Sequence, residues 1–181
     1  MAGRKPRGRE TAYDMVLSMG AVLLAVALIL IISWRPQKEV LPTVDYQAAV
    51  ANARLQQTWP ILIPASIPEG FKATSARFEP ESYGSSGDVR WYLGFQTSSQ
   101  EFVSLWQSDG PVRKVVAAAS NNATCDGSTK IGGVTWSKCE VPDPITRAMY
   151  KTDGEVTTIV SGTASWDELT AFASSLTPAK P

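Results

Sequence analysis

The sequence predicts an α+β domain carried behind one N-terminal transmembrane helix. Three observations predict it. Residues 15–34, MVLSMGAVLLAVALILIISW, contain no charged side chain. Beyond them, short runs rich in aromatic and β-branched residues alternate with turn signals, as antiparallel strands do. Last, Ser165-Trp166-Asp167-Glu168 opens an amphipathic stretch with the signature of a capped helix. The expected architecture is a mostly antiparallel sheet with helices packed on one side.

The apolar run comes first. Its 20 residues match the length of helix that crosses roughly 30 Å of hydrocarbon. A core helix of a soluble protein would be shorter and would carry polar residues along one side. A cleavable signal peptide would have an apolar region of roughly 7–15 residues and a small-residue cleavage site. Here the run ends in Ser33-Trp34-Arg35-Pro36, and no Cys follows to carry a lipid. An uncleaved signal anchor is therefore expected, with Trp34 at headgroup level. Arg4, Lys5, Arg7 and Arg9 precede the run, whereas only Arg35 and Lys38 follow closely. The positive-inside rule puts the N-terminus in the cytoplasm and the C-terminal bulk outside, at the plasma membrane. The expected organisation is a basic tail at 1–14, the anchor at 15–34, a linker with a short juxtamembrane helix at 35–58, and an extracytoplasmic domain at 59–181.

Residues 35–44 are polar and carry two prolines, so they read as linker. Asp45 can cap a short helix, YQAAVANARLQQ, with Tyr46, Val50 and Ala53 at helical spacing. Whether that helix packs on the domain or lifts it from the membrane is open at this stage. From Trp59 to Phe71 the chain is apolar with recurring prolines. Proline cannot donate to a ladder, so this is an extended edge segment. Strands are expected at Lys72–Phe78, Val89–Thr97 and Phe102–Gln107, with Gly84-Ser85-Ser86-Gly87 as a loop tip. Gly110-Pro111 starts a short helix, VRKVVAAAS. Residues 121–129 read as a loop, followed by a strand over Val134–Val141. Asp153-Gly154 joins two further strands, Ile145–Lys151 and Glu155–Val160, as a hairpin. In the last helix Trp166, Leu169, Phe172, Ala173 and Leu176 share a face, and Pro178 ends it.

Cys125 and Cys139 are the two cysteines, and both fall on the side expected to be oxidising. A disulfide between them is expected. It would close a loop of about 15 residues and add roughly 3 kcal/mol of stability.

The composition removes much chemistry. There is no His. That excludes Ser-His-Asp and Cys-His nucleophile pairs and His metal ligands. Two Cys cannot build a four-thiolate metal site. No phosphate-binding or dinucleotide motif and no Asp-x-Asp calcium loop is present. The segment 35–181 has 13 basic against 15 acidic residues, so it is no nucleic-acid binder. The carboxylate pairs Glu79/Glu81 and Asp167/Glu168, and Asp143, read as loop or capping residues. No catalytic, cofactor or metal site is expected. Trp59, Trp91, Trp106, Trp136 and Trp166 either line an aromatic pocket or fill the core.

The order of several short motifs resembles the DUF4245 family of actinobacterial, membrane-anchored envelope proteins. They are the basic N-terminus and span, Ile67-Pro68-Glu69-Gly70-Phe71, Leu93-Gly94-Phe95-Gln96-Thr97 and Gly133-Val134-Thr135-Trp136. Arg147-Ala148-Met149-Tyr150-Lys151 and Val160-Ser161-Gly162-Thr163-Ala164-Ser165 follow, before the Glu168-Leu169 helix. The resemblance covers most of the chain. It implies an envelope location and no activity, so no site residue is carried over. The expected function is a non-enzymatic accessory or assembly factor that meets an envelope or membrane protein partner. The alternative is a module that binds a lipid or cell-wall fragment between the sheet and the C-terminal helix.

Overall fold

A computed structural model describes residues 8–33, 43–80, 88, 90–142 and 145–180. Trp34, the Arg4, Lys5 and Arg7 cluster, most of the 35–44 linker, the Gly84–Gly87 loop tip, Val89 and Asp143 lie outside the described residues. The chain divides into two compact units, Met1–Val40 and Leu41–Pro181.

The first unit is the helix α1, Gly8–Ser33. Its stretch Tyr13–Leu30 is long and apolar enough to cross a membrane, and none of it is buried by protein. The Ser18 hydroxyl donates to the Met15 carbonyl at 3.0 Å. That bond satisfies the Ser18 hydroxyl within the helix, as a hydrocarbon surrounding would require.

The second unit begins with α2, Gln47–Gln56. Tyr46 takes the N-cap position with no side-chain bond, and just ahead of it the Asp45 carboxylate accepts the Gln47 N–H at 3.0 Å. Tyr46, Val50 and Ala53 are buried in the main core. This helix thus packs on the domain, which starts near Leu41 rather than at Trp59. A linker helix would have kept those three side chains in water. The strands are β1 (Leu62–Pro64), β2 (Lys72–Glu79), β3 (Arg90–Gln96) and β4 (Phe102–Ser108). Helix α3, Val112–Ala119, comes next. It is followed by β5 (Thr124–Ile131), β6 (Val134–Pro142), β7 (Ile145–Asp153) and β8 (Val156–Gly162). Helix α4 (Trp166–Ser174) and β9 (Leu176–Pro178) close the chain.

Seven strands form one antiparallel sheet in the order β2-β3-β4-β8-β7-β6-β5. Two meanders, β2 to β4 and β5 to β8, meet where β4 pairs β8. The α3 segment carries the chain from the centre of the sheet to its far edge. Both edge strands are bulged, β2 between Ala73 and Ser75 and β5 between Cys125 and Gly127. Bulges at exposed edges discourage pairing with another chain. Strands β1 and β9 form a separate two-stranded sheet.

The sheet alternation sorts the core into two faces. One face carries Trp91, Leu93, Phe95, Leu105, Met149 and Val160 under α2 and α4. The other carries Cys139, Ala148 and Ile159 under Val115, Val116 and Ala119 of α3. The architecture is α+β, but the helices expected on one side divide between the two faces. The reason is that α3 presents its apolar stripe to β7 and β8 from behind.

Two further expectations change. Residues 121–129 read as a loop in the sequence, but Thr124–Ile131 form β5, because β6 supplies hydrogen-bond partners to a polar run with little strand preference of its own. Cys125 is therefore a strand residue. The last helix ends at Ser174, not at Pro178, and Leu176 belongs to β9. The Ser174 and Ser175 hydroxyls turn back onto the Ala171 and Phe172 carbonyls, each at 2.7 Å. These bonds satisfy the helix end and release the chain to pair with β1.

Candidate functional site

Strand β1 leans on the sheet through two side chains. The Gln107 amide oxygen accepts the Leu62 N–H at 2.7 Å, and its nitrogen donates to the Pro60 carbonyl at 3.2 Å. The Trp91 indole N–H donates to the Leu62 carbonyl at 3.0 Å. β1 in turn holds β9 in register, Leu62 opposite Pro178 and Pro64 opposite Leu176. These contacts keep the small sheet standing off the large one. A cleft of about 510 Å³ opens between them, bounded by the end of α4 and the β5–β6 turn. That size is in the range of small-molecule sites.

The wall is mostly apolar. Leu62, Ile131, Val134, Val156, Leu176 and Pro178 line it with the rings of Trp59 and Trp136. Gly132 and Gly133 form the two-residue turn beside it, at φ of 58° and 82°. Positive φ at both positions suits a tight hairpin and favours glycine. The turn leaves Val134 at the rim, 43% exposed. Lys151 and Asp153 add charge, and the Lys151 ammonium sits 5.6 Å from the Trp136 ring centroid. Asp153 is exposed, whereas Lys151 is half-buried. The Trp59 indole nitrogen is buried with no hydrogen-bond partner among the described residues.

The five tryptophans named from the sequence thus part company. Only Trp59 and Trp136 meet at the cleft. Trp91 is core, with no exposed surface. Trp106 lies on the α3 face, edge-on to Tyr92 at 4.8 Å, its indole N–H donating to Ser104. Trp166 stacks under the Lys138 ammonium at 3.7 Å. The sequence reading missed Gln107, Val134, Lys151 and Val156. No local motif marks them, since they converge only through the pairing of β4, β6, β7 and β8.

Cys125 and Cys139 are bonded, S–S 1.97 Å, and face each other across the β5–β6 ladder with Cα atoms 3.9 Å apart. Cys125 is exposed and Cys139 is buried among Ala148, Ile159 and α3.

Away from the cleft, Glu168 has a structural partner set. At α4, Ser165 accepts the Glu168 N–H while the Glu168 carboxylate accepts from the Ser165 N–H and hydroxyl. The Ser165 N–H bond, then the Ser165 hydroxyl, lowers the Glu168 pKa below its ordinary value. The Ser99 hydroxyl adds a further bond at 2.9 Å. Burial raises the Tyr92 pKa, against the opposing pull of Ser75 and Arg77. Among the described residues, no group of three or more Cys, Asp or Glu is placed to hold a metal ion.

No curated protein matches the chain. Among solved structures similar in part to this chain are two complexes. One is MucB in complex with MucA(peri), at 14% identity and a TM-score of 0.36, covering 66% of this chain and 37% of that one. The other is the MucA/MucB complex of Pseudomonas aeruginosa, at 14% identity and a TM-score of 0.36, covering 69% and 38%. The chain therefore spans less than two-fifths of the length of those it matches. The sequence profile of the proteins of unknown function called DUF4245 matches residues 7–176, so nearly the whole chain, N-terminal helix and sheet alike, carries that pattern, and the protein belongs to the DUF4245 family.

Proposed function

We propose that this protein is a single-pass membrane protein that displays a non-enzymatic domain outside the cytoplasm, where it acts as an accessory or assembly factor of the cell envelope. One observation carries the reading: an apolar helix long enough to span, Tyr13–Leu30, precedes a domain that holds the Cys125–Cys139 bridge between β5 and β6. Disulfides persist in oxidising compartments. The basic N-terminal tail then stays in the cytoplasm. Tethering confines the domain to the membrane surface and raises its effective concentration toward membrane partners. The test is thiol labelling of intact cells after treatment with a membrane-impermeant reductant. Labelling of Cys125, the exposed partner, by an impermeant maleimide is expected, with Cys139 labelled once the cells are denatured. Labelling of Cys125 only after lysis refutes the topology. Pull-down in mild detergent then tests the accessory role, which fails if no envelope protein co-purifies.

A second reading is favoured by the cleft. Between the sheet and the end of α4 the domain leaves an apolar, tryptophan-bearing space open. A binding module for a lipid or cell-wall fragment uses such a space. Native mass spectrometry of the purified chain is expected to show bound mass, and a bare mass after gentle purification counts against it.

A further inference from the structure

We propose that the cleft takes one acyl chain bearing an anionic headgroup, and that Lys151 is the residue that meets the headgroup. The inference rests on the binding-module reading and names its ligand class. The cleft wall suits hydrocarbon: Leu62, Ile131, Val156 and Leu176 line it, and the amide in its wall, Gln107, already has both ends bonded to Pro60 and Leu62. A sugar ring needs free polar partners, and those that remain do not dominate this wall. The volume, about 510 Å³, is that of one small ligand. Charge supplies the second half of the argument. Lys151 is half-buried against Trp136 and has no ion pair among the described residues. A partly desolvated ammonium beside an apolar cleft attracts an anion more strongly than one in water. Asp153, two residues along the same strand, also lines the cleft, but it is exposed, so water screens its charge more than that of Lys151. The apolar rim at Val134 continues the hydrocarbon path to the surface.

The shared chemistry, chain plus single anion, is that of a fatty acid or of a phosphate-bearing lipid. The experiment uses the full chain in its own membranes. Photoreactive dodecanoate, dodecyl phosphate and neutral dodecanol, each with a diazirine at the chain end, are crosslinked and the labelled peptides mapped by mass spectrometry. Both anions are expected to label peptides from β1, β9 and the Gly132-Gly133 turn about tenfold more than the alcohol, the scale of one charge-assisted bond. Lys151→Met removes that preference and leaves alcohol labelling unchanged. Val156→Trp fills the cleft and removes labelling by all three probes. Should that variant fail to fold, Val134→Glu, at an exposed position, lowers labelling by both anions through repulsion. Stronger labelling by dodecanoate identifies a fatty acid as the source, and stronger labelling by dodecyl phosphate a phospholipid. Labels confined to Gly8–Ser33, or equal labelling by acid and alcohol, overturn the proposal. If a photoreactive cell-wall disaccharide labels the cleft instead, the acyl proposal falls and the binding-module reading stands. If neither probe labels it, both fall.

Discussion

Replacing Cys125 or Cys139 by Ser breaks the same bridge, yet the two changes should not cost the same. The bridge joins residues 14 apart in sequence. In the chain-entropy account a loop of that size contributes about 3 kcal/mol. Cys125 is exposed, so a serine there stays in water and the loss should be about 3 kcal/mol, the bridge alone. The freed Cys139 thiol then remains as a small apolar side chain in its cluster. Cys139 is only 1% exposed, beside Ala148 and Ile159, which have no exposed surface, and under Val115 and Val116. A serine hydroxyl there is buried, which costs about 1–3 kcal/mol more. Cys139→Ser should therefore lose about 4–6 kcal/mol in all, and Cys139→Ala should come back toward the Cys125→Ser value. Thermal unfolding of the full chain in mild detergent, followed by tryptophan fluorescence, reads the difference. At roughly 2–4 °C per kcal/mol the exposed-side variant should melt about 10 °C lower and the buried-side variant clearly lower still. Equal losses from the two serines, or a loss below about 1 kcal/mol for both, would refute the reasoning.

Three other perturbations follow from the same packing. A Cβ on Gly162 would lie 2.7 Å from the Phe102 carbonyl carbon and 3.1 Å from the Val103 Cα, closer still to the Phe102 oxygen. Those are backbone atoms of β4, so Gly162→Ala should destabilise by about 3 kcal/mol or more, read by denaturant melts. Gln107→Leu leaves the Leu62 N–H and the Pro60 carbonyl without their partner. A loss of about 1–3 kcal/mol is expected; amide exchange at Leu62 should speed up, and unchanged exchange would count against Gln107 as the tie. Glu168 has a pKa below its ordinary value of 4.5 in the folded chain. A lowered carboxylate stabilises the fold above its unfolded value and loses that contribution as pH falls toward the folded value. Stability should decline through the window just below pH 4.5, and Glu168→Gln should flatten that part of the profile.

Signals confined to a few neighbouring residues were readable in the chain itself. The run of Met15–Trp34 is uncharged over a length that hydrocarbon requires. Ser165 and Glu168 carry the reciprocal bonds of a helix start, and both form. Asp153-Gly154 marks a hairpin, and Gly154 supplies the positive φ, at 59°. Tertiary structure decided what depends on residues far apart. Thr124–Ile131 is a strand only because β6 offers it a ladder. Leu176 leaves the helical face on which its spacing puts it because β1 pairs with it. Val115 and Val116 are an apolar stripe in the sequence, but the side of the sheet that they cover follows from the crossover between β4 and β5. The same holds for the cleft. Trp59 and Trp136 lie far apart in sequence and meet there, whereas Trp91, Trp106 and Trp166 go elsewhere, although all five look alike in composition. Periodicity and capping act over one or two turns of chain, whereas burial and partnership are set by strand register, which pairs residues such as Leu105 and Val160 that local chemistry never brings together.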